Sequence, residues 1–150
     1  MELINYPSLS AIEINCQRFL SMITWYRELI DAQVEFRDEI QCWLKSPTGW
    51  RLVLLNTGLA ARPRDVAGVS APSFEYGSLA QLTNAYKTLC SRNIYPERSV
   101  KNGFHTTLKY RDPDNNDVSL RFVLPSGNRS EGAFNPLGEE FNAQVLLNII

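Results

Sequence analysis

Histidine is almost absent from this chain of 150 residues: His105 is the one imidazole, beside three cysteines and two methionines. Long apolar runs are missing too. The longest, Leu52 to Leu55, is strand-sized and far short of the roughly 18 residues of a membrane span. Cys16, Cys42 and Cys90 are odd in number and lack CxxC spacing. That argues against a disulfide framework or a zinc site, and they are expected as buried free thiols. The opening MELINYPSLS has neither the basic start nor the apolar stretch of a signal peptide, so a cytoplasmic protein is expected. Fifteen Lys+Arg against 16 Asp+Glu leave a formal charge of −1, with no basic surplus to hold a phosphate backbone. The expected partner is a small molecule, with no nucleic acid and no membrane. No GxGxxG, Walker, GxSxG or HExxH pattern occurs.

What is present suffices for a core. A chain of this length buries roughly 70% of its unfolded surface, and 44% of the residues are hydrophobic. Phe19, Met22, Ile23, Tyr26, Leu29 and Ile30 recur at helical spacing, predicting a helix near 18–30. Leu79, Leu82, Tyr86 and Leu89 predict a second near 78–92, with Ser78 as its N-cap. A constant offset of 60 residues pairs Tyr26 with Tyr86 and Leu29 with Leu89, a sign of internal duplication. Each helix has one short alternating segment before it and three after it. The turns Ser46-Pro-Thr-Gly49 and Asp112-Pro-Asp-Asn-Asn116 separate the last pair in each half. Their offset is 66, so about six extra residues belong to the second half, assigned to its middle hairpin. The pattern is βαβββ written twice, an α+β fold. One domain over 1–150 is expected, with modules near 8–57 and 68–124 and a tail at 125–150.

The segments Trp25-Tyr-Arg-Glu-Leu-Ile, Phe74-Glu-Tyr-Gly-Ser-Leu, Tyr110-Arg-Asp-Pro-Asp-Asn-Asn-Asp-Val-Ser-Leu120 and Phe134-Asn-Pro-Leu-Gly138 follow one another in a telling order. In that order they resemble the vicinal oxygen chelate superfamily of glyoxalases, bleomycin-resistance proteins and extradiol dioxygenases. Asn115 stands where the family's Asp-Pro-Asp-Gly-Asn signature has glycine. The resemblance implies a curved, cup-shaped mixed sheet with helices outside, a divalent metal on its floor, and commonly a homodimer.

The implied metal ligands lie on the first and last strands of each module. Here those positions fall on Ala11, Val53, Ala71 and Ser119, three of which cannot ligate, while a lone hydroxyl is a poor donor. No metal and no cofactor are therefore expected. Strand alternation then lists what faces the same way. Glu13 and Asn15 accompany Ala11, while Ser73 and Glu75 accompany Ala71. Arg51 accompanies Val53, and Arg121 accompanies Ser119. The acid/base tyrosine of extradiol relatives maps to Lys109, which brings His105 and Thr107 with it.

The candidate catalytic groups are thus Lys109, Glu13, His105 and Glu75. Candidate substrate-binding groups are Arg51, Arg121, Asn15, Ser73, Thr107, Ser119 and Trp43. Glu13 or Glu75 would act as base and His105 or Lys109 as acid, with the arginines holding an enolate or carboxylate. Equally, the carboxylates could close an interior salt-bridge network with Arg51, Arg121 or Lys109. Three functions stay open: a metal-independent isomerase, cyclase, dehydratase or lyase acting on a small apolar or aromatic metabolite; a drug-sequestering binding protein; or a metal enzyme with ligands relocated to His105, Glu13 and Glu75.

Overall fold

The computed structural model describes residues 7–60, 62–63, 66–125 and 138–148. The chain divides into two compact units, Met1–Ala61 and Arg62–Ile150, and each is a βαβββ module. The first contains β1 (Ala11–Cys16), α1 (Phe19–Ile30), β2 (Gln33–Arg37), β3 (Gln41–Lys45) and β4 (Arg51–Asn56). The second contains β5 (Ser73–Glu75), α2 (Leu79–Ser91), β6 (Arg98–Lys101), β7 (His105–Arg111), β8 (Asp117–Val123) and a two-residue β9 (Glu139–Glu140). A closing 3-10 helix spans Ala143–Asn148. Of the tail motif, residues 134–137 lie outside the described residues. Among the described residues no helix is long and apolar enough to cross a membrane.

Both sheets are mixed, with strand orders β1-β4-β3-β2 and β5-β8-β7-β6-β9. In each, the first strand runs parallel to the last and the hairpins are antiparallel. The duplication extends to register. Glu13 pairs Val53, which pairs Trp43; Ser73 pairs Ser119, which pairs Lys109. The same offsets of 60 and 66 therefore carry every one of these rungs from module one to module two. The extra length is not all in the hairpin. Phe36 pairs Trp43 and Arg98 pairs Lys109, so two residues enter before β6. The other four lengthen the β6–β7 hairpin by two rungs, Val100–Thr107 and Lys101–Thr106, beyond the rung equivalent to Arg37–Cys42.

Alternation sorts the cores. In module one, Leu52, Leu54, Cys42 and Leu44 are buried, as are Met22, Ile23, Tyr26 and Leu29 of α1. In module two, Leu108, Tyr110, Val118 and Leu120 do the same with Leu82, Tyr86 and Leu89 of α2. Cys16 and Cys42 are buried free thiols, but Cys90 is only half-buried, a correction to the expectation that all three are buried. The tail covers its own sheet: β9 pairs β6, and Ala143 and Leu146 are buried.

The start of α2 is as expected. Ser78 Oγ accepts from the Gln81 amide at 3.1 Å, and the Gln81 side chain accepts from the Gly77 amide at 3.0 Å. The first bond satisfies one orphan donor of the first turn, and the second ties the residue before the cap to that turn. Ser78→Ala should therefore cost about 1 kcal/mol, measured by chemical denaturation; an unchanged midpoint would mean that the cap contributes nothing.

Candidate functional site

The face of module two opposite α2 is built from the odd-numbered residues of β7 and β8. Their even-numbered neighbours are the core, so Ser73, His105, Thr107, Lys109, Ser119 and Arg121 share one surface. All six line a groove of about 390 Å³, near the low end of the roughly 300–1,000 Å³ typical of ligand sites. A broader hollow of about 770 Å³ lies at the start of α1, lined by Arg18, Leu20, Arg37, Asp38 and Glu39. It is shallow and holds no imidazole, whereas the groove gathers hydroxyls, cations and the single histidine.

His105 belongs to the lengthened hairpin, in a turn organised by Asn102. The Asn102 Oδ1 accepts from the Phe104 and His105 amides at 2.8 and 3.0 Å. That leaves its Nδ2 as a donor, 3.3 Å from His105 Nε2. Nε2 therefore accepts, and Nδ1 carries the proton it gives to Thr107 Oγ1 at 2.8 Å. Burial, then the charges of Arg121 and Lys109, hold the imidazole below its ordinary 6.5. The ring is neutral at neutral pH. Sequence reasoning missed Asn102. The signal was the string Asn102-Gly-Phe-His105, in which an asparagine caps a turn just before a strand.

The charged groups around the groove sort by partner. Arg98 bonds Glu140 at 2.6 Å, and Arg111 bonds Glu97 at 2.7 Å with Asp117 at 3.9 Å. Among the described residues, no ion pair or side-chain hydrogen bond holds Lys109 or Arg121. The Arg121 Nε is buried without a hydrogen-bond partner. Glu75 is the register partner of Arg121, yet it is exposed and lies outside the groove lining.

Module one presents the remaining candidates on its own sheet face. Glu13 and Asn15 are exposed on β1 beside Val53 and Leu55. The considered link between Arg51 and Glu13 is not made. Glu35, two residues after Gln33 on the β2 face that Lys45 and Arg51 share, meets Arg51, whose Nε and Nη2 both bond the carboxylate at 3.0–3.2 Å. That hydrogen bonding holds the Glu35 carboxyl below its ordinary range. Phe36 meets Trp43 edge to face with centroids 6.2 Å apart, and Trp43 Nε1 donates to Gln41 at 2.8 Å.

The metal implied by the resemblance finds little to hold it. Ala71 precedes β5, because Pro72 has no N–H to open the ladder earlier. The rung at the last-strand position is Ser73–Ser119 in module two and Glu13–Val53 in module one. Among the described residues no three of His, Cys, Asp and Glu converge. Hydroxyls flanked by a guanidinium and an ammonium do not fit a divalent cation.

No protein-family model matches the chain. It is 29% identical over 151 aligned residues to biphenyl-2,3-diol 1,2-dioxygenase 2 of Rhodococcus globerulus, covering 93% of this chain and 80% of that enzyme. Identity to biphenyl-2,3-diol 1,2-dioxygenase 3 of the same organism is also 29%, with 93% and 75% covered. Among solved structures, a glyoxylase/bleomycin resistance protein/dioxygenase domain from a Frankia species superposes with a TM-score of 0.68 at 18% identity. That match covers 80% of this chain and 100% of that one. A glyoxalase/bleomycin resistance protein/dioxygenase from Alicyclobacillus acidocaldarius gives 0.65 at 16% identity, with 85% and 100% covered.

Proposed function

We propose that this chain, whose fold and relatives match the vicinal oxygen chelate superfamily, is a metal-independent enzyme performing proton transfer on a small molecule bound in the groove of module two. The observation that carries this reading is the convergence of a neutral imidazole, an ammonium and a guanidinium on one face lined by hydroxyls. Proton abstraction next to a carbonyl needs a base within hydrogen-bond reach and a positive group at the oxygen where charge develops. His105 Nε2 is the base, exchanging its long bond from Asn102 for the substrate proton. Arg121 and Lys109 stabilise the resulting enolate, and Thr107 holds the imidazolium through Nδ1–H. Proton abstraction next to a carbonyl is an entry to isomerisation, cyclisation, dehydration and lyase steps. Glu75, exposed beside Arg121, is the alternative base; Glu13, on module one, plays no part in this scheme.

A second reading, binding without turnover, draws support from one observation: both ring nitrogens of His105 are already hydrogen-bonded. The relocated-ligand reading is weaker, since Glu75 lies outside the groove lining and no three of His, Cys, Asp and Glu converge among the described residues. We also propose a homodimer; the outer strand β2 is exposed along its whole length, and light scattering of the purified protein tests it.

The test is a screen of small enolisable and aromatic acids after exhaustive chelation. Turnover should persist in EDTA, and Lys109→Met should lower it at least tenfold, about 1.4 kcal/mol of barrier, with an unchanged thermal midpoint. Because the base works in its neutral form, the rate should fall as pH drops through a midpoint below 6.5. Activity that vanishes on chelation and returns with added iron or manganese would overturn metal independence. Saturable binding with unchanged ligand would select the second reading.

A further inference from the structure

Which substrates the groove takes follows from its charge inventory, and the inference rests on the reading of the groove as the ligand site. Five charged side chains line it: Glu97, Arg98, Lys109, Asp117 and Arg121. Arg98 is matched by Glu140 and Glu97 by Arg111, with Asp117 3.9 Å from the same guanidinium. Lys109 and Arg121 have no such partner among the described residues. They bracket Ser119, which pairs Lys109 across β7–β8 and lies two residues before Arg121. The Arg121 guanidinium lines the groove, and a planar guanidinium offers a two-oxygen anion parallel hydrogen bonds. A point-like cation such as Lys109 completes such a site without demanding its own geometry.

We infer that the ligand of this groove carries a carboxylate, held by the guanidinium of Arg121 and the ammonium of Lys109, with Ser119 between them. The rest of the ligand points toward His105 and Thr107. A neutral amide of the same shape offers one acceptor oxygen and a donor that faces two cations, so it binds far less well.

The probe pair is benzoate and benzamide, titrated calorimetrically into the wild-type protein, Lys109→Met and Arg121→Gln, with the His105 ring signals followed by NMR. Benzoate should saturate the wild type and shift the His105 signals. Its affinity should fall at least tenfold in each variant, and benzamide should not saturate. Because Lys109 is exposed, Lys109→Met keeps the test valid should Arg121→Gln fail to fold. Equal affinity for benzamide, undiminished benzoate affinity in a folded variant, or no saturation at tens of millimolar would each overturn the inference. Benzoate binding together with absent turnover in the acid screen would sink the enzymatic reading alone. Turnover restricted to uncharged substrates would sink this inference alone.

Discussion

Leu120→Ala should destabilise the protein by about 2–5 kcal/mol, and Leu54→Ala by a similar amount. Both leucines are fully buried, and they occupy equivalent rungs of the two modules. Leu54 pairs Ile14 and Cys42, and Leu120 pairs Phe74 and Leu108. Removing three carbons leaves a cavity that neighbouring strands cannot close without breaking register, so the loss exceeds the transfer free energy alone. Against a typical total of about 5–15 kcal/mol, either change threatens the fold. The measurement is urea denaturation of both variants. A cost below about 1 kcal/mol at either site would show that these positions collapse around the gap.

Asp112→Ala should cost about 2–4 kcal/mol, because each hydrogen bond to a charged acceptor is worth about 1.5–3 kcal/mol. The Asp112 side chain is 3% exposed. Its Oδ1 accepts from the Asp114 and Asn116 amides at 2.9 Å each, and its Oδ2 from Asn116 Nδ2 at 2.8 Å. These bonds close the β7–β8 turn, and with it the register that sets Lys109 opposite Ser119. The effect should therefore appear in ligand affinity as well as in the denaturation midpoint. Asp112→Asn keeps one acceptor oxygen and should lose less. If the alanine variant matches wild type in both, the turn is held by Asn115 and the strands alone. Asn115 itself has φ of 67°, the left-handed region that explains why relatives of the signature carry glycine there.

How much of this was legible beforehand depends on the range of the interaction concerned. Helix and strand periods, the Ser78 cap and the Asp112 turn are local, and they are written in residues a few positions apart. The β6 offset of 62 was not foreseen, but the offsets of 60 and 66 relate the β1, β3 and β4 rungs to those of β5, β7 and β8. Parity likewise placed Ser73, His105, Thr107, Lys109, Ser119 and Arg121 on one surface. Partner choice was not written there. Glu35 reaches Arg51 across 16 residues, and Glu140 reaches Arg98 across 42. The protonation state of His105 depends on an asparagine that matters only once its turn has closed. Sequence by itself determined the two modules and the facing of the groove residues. Tertiary structure decided which charges there are neutralised and which remain for a ligand, since electrostatic pairing depends on distances that strand pairing alone creates.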